Sequence, residues 1–263
     1  MDVRSVGLAT DLALIATRGD VIDRGAYLVA VTPGDPDYYY GNLLVLPAPL
    51  RPGQLAWALA LFAREVAARG TVHHVTLCWD LGDGDAEPPG ATDELVAAGL
   101  EVEVTHVMVA GALQPAAPPP GIELRPLAPD ELARAAELAF ANDTAHDEAQ
   151  RQFRRRRAAW QRDLVTRGAG RFWGAFDDRT LVGSLGLVRL GRLGRYQDVL
   201  IASSHRRRGI AAALLAISAQ DACAAGVEQL VIQTEWGSDA KRVYERAGFR
   251  AIERLVSACR EPP

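Results

Sequence analysis

From Ile122 to Cys259 the spacing of hydrophobic positions changes several times, and each change marks an element. Leu132, Ala135, Ala136, Ala139 and Phe140 recur at three- and four-residue intervals, which predicts a helix over Pro129–Ala141 with one apolar face. Helical spacing also covers Asp147–Thr166, Gly209–Ala225 and Asp239–Ala247, with Gly226 and Gly248 as stops for the last two. Short apolar runs bounded by glycine or charge predict strands over Ile122–Pro126, Arg171–Phe176, Leu181–Arg189, Arg195–Ala202, Gln229–Thr234 and Phe249–Cys259. A glycine-containing turn, Leu190–Gly194, joins two of them. Strands that follow one another directly mean hairpins. The order is therefore mixed α/β of the α+β type, without the strict alternation of a doubly wound dinucleotide fold.

The pattern breaks at Gln114–Gly121, where four prolines rule out a helix or a central strand and favour an extended spacer. This predicts a domain over 1–113, a linker over 114–121 and a second domain over 122–263. The two blocks share features. At an offset of 156, Gly53 falls on Gly209, Leu59 on Leu215, Gly70 on Gly226 and Val75 on Val231. At an offset of 149, Ala98-Gly99-Leu100 falls on Ala247-Gly248-Phe249, so the first block carries seven more residues, which fit the loop 82–90. The two glycines bracket a helix of equal length in each block, and an internal duplication is the preferred reading over two α/β units with coincidental glycines.

Composition narrows the function classes. The chain has 263 residues, 49% hydrophobic and 24% charged, with a net charge of −4. These values suit a soluble globular protein and give no global argument for nucleic acid or an anionic membrane. Cys78, Cys223 and Cys259 lie far apart without metal-ligand spacing, so neither a metal site nor a disulfide framework is expected. The reduced cytoplasm is the expected setting. No signal peptide and no membrane span is expected.

Candidate chemistry concentrates at two places. Arg206-Arg207-Arg208-Gly209-Ile210-Ala211 lies between the apolar strand Val199-Leu200-Ile201-Ala202 and an alanine- and leucine-rich helix. Strand, basic glycine turn and helix together aim several backbone N–H groups at one spot, at the positive end of a helix dipole. This is an anion site suited to pyrophosphate. The second is Ala240–Phe249, where Ala240, Val243, Tyr244 and Ala247 share a helical face. A phenol there, facing a cleft, could give a proton to a departing thiolate. The plain alternatives are a solvated basic loop and a half-buried core tyrosine.

The chain here resembles the GNAT acetyltransferases. Arg206-x-x-Gly209-x-Ala211 is similar to their pyrophosphate-loop pattern. Ala240-x-x-x-Tyr244-x-Arg246-x-Gly248-Phe249 is similar to their second cofactor motif, and Glu123–Leu127 to their opening strand. The resemblance covers about 122–259. One departure is Gly237, where an asparagine is frequent; Ser238 or Asp239 would have to supply that contact. The resemblance implies two tandem acetyltransferase-like domains, each a mixed, mostly antiparallel sheet flanked by helices. It implies an N-acyltransferase using acetyl-CoA or another acyl-CoA, by direct attack of an amine on the thioester. Amides of Arg206, Arg207, Arg208, Gly209, Ile210 and Ala211 would hold the pyrophosphate. Val199, Leu200 and Ile201 would splay from their neighbour and bond the pantetheine arm, and Tyr244 would protonate the leaving thiolate.

The base is open. Glu235 is the first candidate and Asp198 the second, and a water chain could replace both. His205 reads as a solvent-exposed flank, and His146 as a substrate-contact candidate in the loop before a helix. The arginines of 151–162 invite a nucleic-acid reading, but they spread around the helix and are expected to pair with Asp147, Glu148 and Asp163.

In the first block, Leu50-Arg51-Pro52-Gly53 replaces the phosphate turn, and Asp93–Leu100 has no tyrosine. A non-catalytic half is expected, one that packs on the active half and walls the acceptor site, as a monomeric pseudo-dimer or in a homodimer. Tyr38-Tyr39-Tyr40 reads as a strand start, packed there or lining that cleft. The expected partner is a small-molecule or peptide amine, with neither nucleic acid nor membrane. The rival is a CoA-sensing or scaffolding module without turnover.

Overall fold

The computed structural model describes residues 1–81 and 92–262; the loop 82–90, to which the seven added residues were assigned, lies outside them. Contacts divide the chain into two compact units. The first holds Met1–Val107, Gln233–Ser238 and Ala251 onward; the second holds Met108–Ile232 and Asp239–Arg250. This division does not follow the proline-rich segment expected to separate domains at 114–121. That segment lies wholly in the second unit, and the last strand of the chain falls almost entirely in the first. A linear reading assigns each strand to the block it sits in. The sheet assigns it by whichever edge it hydrogen-bonds.

The first unit opens with helix α1 (Val6–Ile15), followed by strands β1 (Asp20–Asp23), β2 (Leu28–Val31) and β3 (Leu43–Leu46). Helix α2 (Leu55–Glu65) leads to β4 (Val75–Trp79), and α3 (Thr92–Ala97) to β5 (Glu101–Ala110). β1, β2 and β3 pair antiparallel in sequence, and β3 and β4 pair parallel. The late strand β11 (Arg250–Arg260) adds antiparallel to β4, with Val256 opposite Trp79. Alternation along β3 sorts the core. Leu44 and Leu46 face Leu55, Ala58 and Phe62 of α2, while Leu43 and Val45 face Leu8, Leu12 and Ile15 of α1.

The second unit runs β6 (Ile122–Pro126), α4 (Leu132–Asn142), α5 (Glu148–Thr166), β7 (Gly170–Asp177), β8 (Thr180–Leu190), β9 (Leu193–Ile201), α6 (Ile210–Ala224), β10 (Gln229–Glu235) and α7 (Ala240–Ala247). β6 to β9 form an antiparallel meander, and β10 returns parallel to β9 after the α6 crossover. β7 again divides two cores. Trp173 and Ala175 pack with Leu214, Leu215 and Ala222 of α6, and Phe172 and Phe176 pack with Leu132 and Ala135 of α4. Leu214 and Leu215 are fully buried, and each such leucine contributes about 1.5–3 kcal/mol over leaving it exposed. Every predicted element of this region forms, with ends within a few residues. The order of hairpins and one crossover is the α+β arrangement expected.

Tyr38, Tyr39 and Tyr40 do not start a strand. Tyr39–Gly41 is a 3₁₀ turn closed by Asn42, whose amide donates to the carbonyls of Asp35 and Tyr38, each at 3.0 Å, and accepts from Thr32 N–H at 2.8 Å. The Tyr39 ring lies tilted against His74, with centroids 4.6 Å apart, and Tyr40 bonds Glu103 and Ser257. The local hydrogen bonds of asparagine override the strand preference of tyrosine.

One ion pair joins β6 to the start of α4. Arg125 forks onto Glu131 with two hydrogen bonds of 2.7 Å, and Ala128 N–H donates to the same carboxylate at 3.0 Å. The Arg125 fork, then the Ala128 amide, hold the Glu131 carboxyl down to about 2. A depressed carboxylate stabilises the fold above its unfolded pKa and loses that contribution as pH falls through the folded value. Glu131→Gln should therefore melt below the parent at about pH 7, and the gap should close as the pH is lowered to about 2. A pH-independent gap in thermal melts would contradict this.

Candidate functional site

The basic turn has the geometry of an anion cradle. After β9 a 3₁₀ turn, Ser203–His205, leads into Arg206, and α6 begins directly after Gly209. Arg207 and Gly209 both take left-handed backbone, at φ 61° and 84°. Such alternation turns successive N–H groups to one side. No side chain caps α6. The amides of residues 207–212 make no hydrogen bond to any described residue. Helix starts normally satisfy these donors with a cap or a ligand. A Cβ placed on Gly209 would meet no atom within 4 Å beyond its chain neighbours.

The side chains hold this turn in place. Arg206 donates to the Ile201 carbonyl at 3.3 Å and to Asn142 Oδ1 at 3.1 Å. His205 was expected as an exposed flank. Its side chain is only 18% exposed, with Nε2 3.0 Å from Asp177 Oδ2 and Nδ1 2.8 Å from Ser204 Oγ. Arg208 reaches the same Asp177 oxygen at 3.7 Å. Asp177, at the end of β7, thus anchors the turn from two sides. Arg207 is exposed and makes no ion pair among the described residues.

The strand before the turn departs from its neighbour as expected. The β9–β10 ladder covers only Leu193–Arg195 against Gln229–Val231. β9 continues through Val199, Leu200 and Ile201, bonded to β8 on its other side. The β8–β9 register shifts between Ser184 and Gly186, and Asp198 opposite this shift has φ 50°. This is a bulge, with Val199–Ile201 half-buried beyond it.

Asp198 was a candidate base, and the structure gives it another task. Its carboxylate accepts from Arg157 Nε at 3.0 Å, Arg157 Nη2 at 3.2 Å and Gln161 Nε2 at 2.7 Å. Burial pushes this carboxyl up, but the charge and hydrogen bonds of Arg157 outweigh it and hold it below the usual carboxylate range. It therefore stays ionised, with both oxygens engaged by three hydrogen bonds. The arginine helix differs from its expected pairing for the same reason. Arg154 pairs with Asp143 and Arg157 with Asp198, on the inward face, while Asp147 instead caps the helix by accepting from Gln150 N–H. Glu148 does pair with Arg155 of the run, whereas Asp163 pairs with Arg167, beyond it. Polar residues at 154, 157 and 161 follow the helical period of the buried positions. That was the available sign that they face inward.

Tyr244 is 7% exposed, within the core that includes Phe249, and its hydroxyl makes no hydrogen bond to any described residue. Burial, partly offset by the Arg195 charge, pushes its phenol up to about 12. Glu235 is exposed at the end of β10 and belongs to the first unit, whereas Tyr244 belongs to the second. His146 is exposed with its ring edge against Phe140. Asp239 faces Arg242 in solvent, and Gly237 has φ 79°.

The first unit repeats the frame without the cradle. Gly53 has φ 83°, matching Gly209. Its N–H, however, donates to Glu94 Oε1 at 2.8 Å, Arg51 N–H donates to Gln54 Oε1 at 2.8 Å, and Pro52 has no N–H. The place of an anion is filled from within. The ends of α3 and α7 match bond for bond. Leu100 N–H donates to the Leu95 carbonyl at 2.9 Å, and Phe249 N–H to the Tyr244 carbonyl at 3.0 Å, each across a left-handed glycine. Fully buried Leu95 stands where the second unit has Tyr244. The helices bracketed by the paired glycines are unequal, because α2 ends at Glu65 in a 3₁₀ turn and α6 runs to Ala224.

Residues 140–258 match the family model of the Acetyltransferase (GNAT) domain. Over these residues the chain is similar to a GNAT domain. No curated protein matches this chain in sequence. Among solved structures, a GCN5-related N-acetyltransferase from Kribbella flavida has a TM-score of 0.67 at 17% identity, covering 100% of this chain and 97% of that one. A conserved protein of unknown function from Staphylococcus epidermidis ATCC 12228 has a TM-score of 0.72 at 10% identity, covering 93% and 95%. A tandem GNAT protein from the clavulanic acid biosynthesis pathway has a TM-score of 0.55 at 18% identity, covering 89% and 77%. At these identities the likeness is one of fold, and that fold is the tandem GNAT arrangement. Among the described residues no group of three or more His, Cys, Asp or Glu is placed to hold a metal, and no helix is long and apolar enough to cross a membrane.

Gly209 and Gly53 make a matched pair, since both are left-handed with no protein atom near an added Cβ. Alanine in such backbone costs about 1–2 kcal/mol. Gly209→Ala should weaken acetyl-CoA binding by about tenfold or more, as read by calorimetry, and Gly53→Ala should leave it unchanged. Equal effects at the two glycines would contradict the assignment.

Proposed function

We propose that the GNAT domain transfers an acyl group, acetyl in the first instance, from acyl-CoA to a primary amine. The observation that carries this reading is the uncapped row of amides at residues 207–212, next to a strand that has left its partner. A pyrophosphate fits the first and an amide-bearing pantetheine arm fits the second, as an added strand. The two features adjoin through Ile201, the length of one turn apart, as they do in a single extended ligand with both groups.

The chemistry asked of the protein is modest. A neutral amine attacks the thioester carbonyl, the C–N bond forms, the C–S bond breaks, and the proton shed by the nitrogen ends on sulfur. Positioning and stabilisation of developing charge carry such a step. Tyr244 is placed on the face of α7 that packs in the core, and it remains a neutral phenol at any physiological pH. An ordinary thiol titrates near about 8.5. A phenol near 12 therefore serves the leaving thiolate better as a hydrogen-bond donor than as a full proton source. The amine's proton leaves to water, from which the thiolate takes one up, since Asp198 is committed to Arg157.

Two measurements test this. Tyr244→Phe should lower kcat by about tenfold or more with little change in KM for acetyl-CoA, the size of one lost hydrogen bond to a charged group. Unchanged kcat would remove the tyrosine from the reaction. In the parent, Tyr244 ionisation should cause no alkaline fall in rate below about pH 10, because the neutral phenol persists towards 12. Saturable acetyl-CoA binding with no acetyl transfer to a broad amine panel would instead favour a CoA-sensing module.

A further inference from the structure

We infer that Asp198 is a positioning residue, and that Arg157 and Gln161 on α5 clamp it to hold the bulge that parts the donor strand from its neighbour. The inference rests on the acyl-CoA reading for its consequence, but the clamp itself is a property of the protein alone.

Three observations meet at this residue. First, Asp198 holds φ 50° inside a strand, an uncommon conformation there that aspartate and asparagine tolerate better than other residues with a Cβ. Secondly, both carboxylate oxygens are engaged. Arg157 forks across them at 3.0 and 3.2 Å, and Gln161 adds a 2.7 Å bond. Thirdly, the clamp is itself fixed. Arg157 is 9% exposed, donates to Gln197 Oε1 at 2.8 Å, and lies 4.8 Å over the Trp160 ring. The neighbour Gln197 in turn donates to the Tyr196 carbonyl at 2.7 Å. The charged and titratable groups facing Asp198 are thus Arg157 and, one turn earlier on α5, Arg154, which is paired to Asp143.

The register shows what this accomplishes. Before the bulge, Gly186 lies opposite Gln197; after it, Ser184 lies opposite Leu200. One residue of β9 has been taken up, so every position from Val199 onward is displaced along β8 and the strand bends there. Val199, Leu200 and Ile201 therefore owe their placement to a side chain that never needs to touch the substrate. A flat, regular β9 would carry the same sequence in a different register.

A catalytic base and a positioning clamp make different predictions. Asparagine tolerates left-handed backbone and keeps the bond from Gln161 and part of the fork, but carries no charge. Asp198→Asn should keep turnover within about tenfold of the parent and keep the shape of the pH–rate profile. Arg157→Met keeps the volume and removes the fork. Hydrogen exchange, measured without cofactor, should quicken at the amides of Leu200 and Ala202, which face β8, by about tenfold or more, while those of Leu214 and Leu215 in α6 stay protected. Should Arg157→Met fold poorly, loss of α6 protection will reveal it, and Asp198→Val, which cannot easily hold φ 50°, provides the same exchange readout. Unchanged exchange at Leu200 and Ala202 in a folded variant overturns the clamp. Loss of turnover in Asp198→Asn together with loss of the acidic limb overturns positioning in favour of proton transfer. If the parent chain transfers no acyl group, the proposed reaction fails, and the exchange result still decides the clamp.

Discussion

Backbone donors with nothing to bond to are the constraint around which the second unit is built. A helix leaves its first N–H groups unpaired, and most helices recover them with a serine, threonine or acidic cap. Here α6 begins on Gly209, without a cap, after a second left-handed residue at Arg207. One unfavourable conformation, at Arg207, and a row of unpaired donors are stability forgone. The surrounding structure restrains the turn in that state through Arg206 to Ile201 and Asn142, and through His205 and Arg208 to Asp177. Such an arrangement suits an anion, and the apolar core behind α6 supplies the rigidity that keeps the donors aligned.

The first unit shows the same frame with the constraint removed. Its glycine keeps the left-handed turn, but Glu94 and Gln54 take up the donors and Pro52 deletes one. At the second motif a buried leucine replaces the tyrosine while the helix stop is preserved hydrogen bond for hydrogen bond. At the matching turn of this unit, donors are bonded from inside the unit itself. The fold survives because glycine geometry and core packing, not the site, hold it.

Much of this was legible in the sequence. Strands and helices of the region after 122 follow from hydrophobic period and glycine stops, because packing there agrees with local preference. The glycine turn before α6 and the helix stop after Tyr244 were legible because each needs particular residues at fixed spacing. What stayed hidden is non-local. Asp198 meets Arg157 forty-one positions away, and His205 meets Asp177 across twenty-eight, so a candidate base became a clamp and an exposed flank became an anchor. The contribution of residues 233–238 and 251 onward to the first unit was hidden for the same reason, since strand pairing is set by edges that a linear pattern does not show. The tyrosine run failed because Asn42 offers the backbone a local alternative to a strand.

The central claim is that one half of this chain binds the acyl donor and the other has closed its site. The stoichiometry of acetyl-CoA binding to the whole chain tests it most directly. The account predicts saturable binding at one site per chain, with a second site absent even at high ligand concentration. Two equivalent sites, or no saturable binding, would contradict it.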